Sequence, residues 1–147
     1  MNTLDVVRDS LGRVHELIPA VLDGLTGDDL LWRADPEANS IGWLIWHLTR
    51  IEDDHLAHLG GVEQAWTSDG WYQRFGLPYL KQAHGFRMTP VEVGAFNVTD
   101  AHLLAGYAAA TWEQTQAVLA SLVEDRLDDV IDTRYTPPVT VGVRLVS

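Results

Sequence analysis

Cysteine is absent from this chain of 147 residues. Its absence excludes a thiol nucleophile, a zinc finger, an iron–sulfur site and any disulfide. Basic side chains are scarce: 10 Lys and Arg stand against 21 Asp and Glu, a formal net charge of -11. That balance argues against a nucleic-acid partner, which is met with basic patches, and against docking on anionic lipid. No apolar run approaches the ~20 residues that span a bilayer. Met1-Asn2-Thr3-Leu4-Asp5 has neither the basic nor the apolar region of a signal peptide. The expectation is a cytoplasmic chain with no nucleic-acid and no membrane partner. Nucleotide and hydrolase signatures are missing too: there is no G-x-G-x-x-G, P-loop, G-x-S-x-G elbow or H-E-x-x-H.

Core-forming residues are plentiful. Hydrophobic residues make up 46% of the chain, enough for one domain with a core. A domain near this size buries roughly 68–70% of its unfolded surface and needs no covalent staple. Six Trp and six His are unusual at this length. Leu4, Val7, Leu11, Val14, Ile18, Val21 and Leu25 step by three and four, which predicts a helix over 3–24 with Thr3 as its cap. A polar connection follows over 28–39. Ser40 caps a second helix that runs to Leu59 and stops at Gly60-Gly61. Residues 60–98 are aromatic and aperiodic, with short helices expected near 68–76 and at Thr89-Pro90-Val91-Glu92. A third long helix is expected from Thr99, as cap, to Leu122. After a charged loop over 123–139, Thr140 caps a last helix beginning at Val141.

Candidate chemistry concentrates on the second helix. His47 lies at the edge of its apolar face, where an imidazole is either a hydrogen-bonded core residue or a ligand. Asp54 follows two turns on. Glu52 and His55 are three apart and offer a carboxylate–imidazole pair, structural or catalytic. Asp54, His55 and His58 could chelate at the helix end or simply be solvated. On the third helix, Tyr107, Thr111, Gln114 and Thr115 put polar atoms on an otherwise apolar face. Buried polar atoms need partners, so a pocket shared by His47, Tyr107 and Thr111, with Asp54 at its mouth, is expected. Trp43 and Trp46 point away from the apolar face beside Arg50 and Asp53. Either the 60–98 segment folds over them or they form a homodimer interface.

Ser40-Ile41-Gly42-Trp43-Leu44-Ile45-Trp46-His47-Leu48, with Ile51-Glu52 and His55-Leu56, resembles the second helix of the DinB-like superfamily. Asp23-Gly24-Leu25-Thr26, Trp32-Arg33 with Asp35-Pro36, the aromatic 66–79 stretch and Thr140-Val141-Gly142-Val143-Arg144-Leu145 are similar to its other segments. The group includes the N-terminal domain of mycothiol-dependent maleylpyruvate isomerase, and the resemblance points to its actinobacterial branch. It implies an all-α four-helix bundle, up-down-down-up, with a long crossover between helices 2 and 3 and a last helix cut short at residue 147. In that arrangement Tyr107 comes level with His47. The resemblance also implies a divalent metal, zinc, nickel or iron, held by His47 and by two further ligands expected beyond Ser147. The implied activity is a transferase or isomerase reaction on a small-molecule substrate with a low-molecular-weight thiol such as mycothiol. A metal would hold such a thiol as thiolate near neutral pH. The competing expectation is a metal-free association module that acts through the Trp43/Trp46 face.

Overall fold

The computed structural model describes all of residues 1–147. Three long helices carry the fold: α1 (Thr3–Leu22), α3 (Ile41–Gly60) and α7 (Ala101–Ser121). Short helices fill the connections: α2 (Gly27–Leu31) before α3, then α4 (Ala65–Ser68), α5 (Trp71–Phe75) and α6 (Pro90–Gly94) between α3 and α7. A 3₁₀ turn over Glu124–Arg126 leads into strands β1 (Val130–Asp132) and β2 (Val139–Thr140), and α8 (Val141–Val146) follows. α7 packs against both α1 and α3, and α8 lies against α3. No helix is long and apolar enough to cross a membrane.

Local chemistry sets the boundaries. The Ser40 hydroxyl accepts from the Trp43 N–H at 3.2 Å, and Gly61 ends α3 in the left-handed conformation. Thr140 caps α8 through the Val143 N–H. Two expected caps move by one residue. Asn2, not Thr3, caps α1, because its side chain and that of Asp5 bond reciprocally to each other's backbone N–H. Asp100, not Thr99, caps α7 by accepting from the His102 N–H at 2.9 Å. The expected apolar stripe of α1 is also displaced: Val14 and Val21 are exposed, whereas Leu4, Ile18 and Leu22 are buried.

Two expected loops hold structure. The 28–39 connection overlaps α2, which starts on a reciprocal Thr26–Asp29 capping box. The 123–139 loop forms an antiparallel pair in which Val130 faces Thr140 and Asp132 faces Val139. The chain is therefore mostly helical, as expected, with one small two-stranded sheet before α8.

The 60–98 segment folds over α3 and supplies much of the larger core. Trp43 and Trp46 are 5% and 1% exposed. Trp66, Phe96 and Tyr79 surround Trp46 with ring centroids 6.4, 6.1 and 5.3 Å away. Large apolar side chains gain roughly 1.5–3 kcal/mol each on full burial, and aromatic pairs about 0.5–1.5 kcal/mol more. Gly42 permits the close approach, since a Cβ there would lie 2.8 Å from the Phe96 ring. Burial within one chain removes the observation that pointed to a homodimer through this face.

Candidate functional site

A groove of about 280 Å³ opens between α1, α3 and α8. Its walls are Leu11 from α1, His47, Leu48, Ile51, Glu52, His55 and Leu56 from α3, and Arg144, Leu145 and Ser147 from the chain's end. Several charged or imidazole groups thus share one small space with aliphatic side chains.

His47 is held from two sides. Its ring stacks on Trp43, with centroids 4.7 Å apart and planes inclined at 22°. Its Nδ1 lies 2.5 Å from the carbonyl oxygen of His84. A carbonyl only accepts, so Nδ1 carries the hydrogen, and in the neutral ring the lone pair is then on Nε2. Imidazoles that bind metals are typically fixed in this way, through the nitrogen that does not bind. Gly85 makes the contact possible: its φ is +96°, and a Cβ there would stand 2.5 Å from His47 Nδ1.

Glu52 does not take His55 as its hydrogen-bond partner. Its Oε2 lies 2.8 Å from His15 Nε2 of α1, and its Oε1 accepts from the Thr115 hydroxyl of α7 at 2.6 Å. The His15 ring stacks on Trp112 at 4.9 Å. Glu52 thus ties three long helices together behind the groove. His15 went unrecognised in the sequence because its partners sit on other helices, Glu52 on α3 and Trp112 on α7. His55 is half-buried in the groove wall. Burial pushes its pKa down, and the positive charge of Arg144 acts in the same direction.

Tyr107 and Thr111 do not share the groove with His47. Tyr107 is fully buried among Trp66, Trp71 and Phe75. Its hydroxyl donates to Asp53 Oδ2 at 2.7 Å, and Arg50 Nη1 lies 3.3 Å from it. Asp53 also accepts from the Ala65 and Trp66 N–H groups at 2.9 and 2.8 Å and from Gln114 Nε2 at 3.2 Å. Burial pushes the Asp53 carboxyl up, against the pull of these donors and of Arg50. Six residues separate His47 from Asp53, a turn of about 240° per, so the two face different sides of α3. That separation is the physical reason the expected shared pocket is not formed. Thr111 is buried with no hydrogen-bond partner for its hydroxyl. Asp54 accepts from Gln64 Nε2 at 2.9 Å, and Gln64 in turn accepts from Arg50 at 2.7 Å.

The sequence pattern places Tyr107 inward but Arg50 and Asp53 outward beside Trp43 and Trp46, and the 60–98 segment, by folding over that face, brings all three into one buried network. The signal was nonetheless present: Trp43, Trp46, Arg50 and Asp53 recur at three and four, which is a second helical stripe.

As a metal centre the groove offers one fitting donor. His47 has the required tautomer, but no three His, Asp or Glu side chains converge anywhere in the chain. Three or four protein ligands are usual for a closed site, so these residues do not complete one alone.

Geometry and pattern together define a helical-core protein with a groove-facing imidazole on its second long helix. The family model described as the DinB superfamily matches residues 10–146, and the chain belongs to that superfamily. It is similar over 99% of its length to a crystal structure described as a conserved protein of locus from Enterococcus faecalis, at 32% identity and a TM-score of 0.91. The match spans 86% of that neighbour. No curated protein matches this chain.

Proposed function

We propose that the protein is a divalent-cation-binding DinB protein, with the groove between α1, α3 and α8 as its working site. His47 supplies one ligand, and solvent or substrate donors would stand beside it. The reading includes the family's four-helix arrangement, with α1, α3 and α7 as three members and α8, packed on α3, as the fourth. The ion, zinc, nickel or iron, would serve a transferase or isomerase reaction on a small molecule, with a low-molecular-weight thiol as cosubstrate. One observation carries this reading: His47 donates through Nδ1 to the His84 carbonyl, leaving Nε2 as the free nitrogen of a groove-lining residue. The chain's own residues have definable parts. Trp43 and the 84–85 backbone orient the imidazole, and the Leu48 and Ile51 side chains give the groove apolar walls. The association-module reading loses its support, since Trp43 and Trp46 are covered from within.

Nickel titration followed by methyl NMR tests the proposal. Binding should be weak in this chain, and paramagnetic broadening should centre on the Leu48 and Ile51 methyls and vanish in His47→Ala. Broadening centred on the exposed His58 or His102, unchanged in His47→Ala, would overturn it.

A further inference from the structure

Residues 81–85 form neither helix nor strand, yet they carry the carbonyl that holds His47. Their own backbone does little to fix them. Within 80–88 the backbone bonds run from the Ala83 N–H to the Leu80 carbonyl at 2.9 Å and from the Met88 N–H to the Gly85 carbonyl at 3.1 Å. The carbonyls of Lys81, Ala83 and His84 meet no backbone N–H. Each meets a side chain instead. Trp66 Nε1 donates to Lys81 at 2.9 Å, Arg50 Nε donates to Ala83 at 3.1 Å, and His47 Nδ1 donates to His84 at 2.5 Å. The third of these donors is the ring that has to be oriented. The other two are therefore what keeps the His84 oxygen in its place.

Arg50 is suited to that task. It is only 1% exposed, where a charge is costly and an aliphatic side chain would pack as well. Its pairing with Asp53 is long, 3.9 Å from Nη1 to Oδ2, so attraction to that acid is a poor reason for burying it. Nη1 serves Gln64 Oε1 at 2.7 Å and the Tyr107 hydroxyl at 3.3 Å, while the Nε edge turns to Ala83. A planar guanidinium can donate in both directions at once because its N–H groups form a rigid fork, which the single ammonium of lysine cannot reproduce. Arg50 follows His47 by three residues, so the two stand on one side of α3 and reach adjacent carbonyls. Its Cζ lies 4.9 Å from the Trp66 ring centre, which sets the two tethers side by side.

We propose that Arg50 and Trp66 are positioning residues for His47: they hold the 81–85 backbone so that the His84 carbonyl meets Nδ1 and leaves Nε2 as the ring's free nitrogen. The inference rests on the reading of His47 as the working imidazole and adds two residues, neither hydrogen-bonded to it, that set its tautomer.

Long-range ¹H–¹⁵N correlation reads the His47 tautomer in metal-free protein at about pH 8, where an ordinary imidazole is neutral. Two variants loosen the segment by separate routes. Arg50→Lys keeps the charge and loses the fork, and Trp66→Phe keeps an aromatic ring and loses the Nε1 donor. In both, the ratio of Nδ1–H to Nε2–H on His47 should fall about tenfold, the scale of one hydrogen bond. Tyr107→Phe separates positioning from stability. It weakens the buried network at the other edge of Arg50 and leaves the Ala83 contact alone, so the urea midpoint should drop while the His47 ratio holds. A wild-type ratio in either Arg50→Lys or Trp66→Phe, an equal fall in Tyr107→Phe, or a wild-type ring already protonated at Nε2 would overturn the proposal. If Arg50→Lys does not fold, Trp66→Phe decides alone. No ion is present, so failure of nickel to find His47 leaves this result standing. An unchanged ratio in the variants likewise leaves the nickel test standing.

Discussion

Glu52 and Asp53 are adjacent and serve different halves of the molecule. Glu52 turns to His15 and Thr115 behind the groove, while Asp53 turns to the crossover and to Tyr107. Asp53 gathers four hydrogen-bond donors in a fully buried position, with the Arg50 guanidinium 3.9 Å away. Asp53→Ala would strand that guanidinium and two backbone N–H groups, so it should destabilise the fold by about 3–5 kcal/mol, the cost of breaking a buried pair. Urea unfolding measures this, and a loss below about 1 kcal/mol would mean the network is replaceable by water. Gly85 makes the second residue-scale prediction. Gly85→Ala places a methyl where His47 Nδ1 sits, at a φ that disfavours alanine, so the 84–85 backbone must withdraw. The His47 ring should then populate both tautomers, read from its ¹⁵N shifts, while the Asp53 network stays intact. A single unchanged tautomer would show that the carbonyl contact is not what fixes the ring.

The elements were legible where a local rule governs them. Ser40, Thr89 and Thr140 announce helix starts through hydroxyls that accept backbone N–H groups, Gly61 announces an end through its left-handed backbone, and the structure uses all four. Ser40→Ala should cost about 0.5–2 kcal/mol in global stability, because α3 then starts with an unmet N–H inside the core. What was illegible depends on contacts between distant segments. The helical period of α3 gives two stripes, and charge on Arg50 and Asp53 hid the second. Only the aromatic crossover, packing from 65 to 98, makes that stripe internal. The β1–β2 pair escaped for a similar reason: two- and three-residue strands carry no period of their own. Within the candidate site, His47 was visible from its place on the helix, and Glu52 was visible as a buried acid. His15 and the roles of His84 and Gly85 were not, since each acts only through a partner on another element.

At the scale of the whole molecule, acid should loosen the fold before its carboxylates titrate. Burial lowers the pKa of both His55 and His84 from the ordinary 6.5. A folded chain that binds fewer protons than the unfolded one loses stability as pH falls through the unfolded value. Their contribution is therefore full above about 6.5 and declines below it. Urea midpoints near pH 7.5 and near pH 5.5 should differ more in the wild type than in the double variant His55→Gln/His84→Gln. Equal differences would place the acid sensitivity elsewhere. The network around Asp53 and the groove around His47 lie on different sides of α3, so each can be perturbed without the other. His47 is the residue on which the proposed function depends. Long-range ¹H–¹⁵N correlation of the imidazoles, recorded before and after zinc is added, tests it most directly. The prediction is a hydrogen on His47 Nδ1, a bare Nε2, and a zinc-dependent shift at that Nε2 before any other ring responds. A hydrogen on Nε2, or an Nε2 signal that stays fixed while another histidine takes the ion, would contradict it.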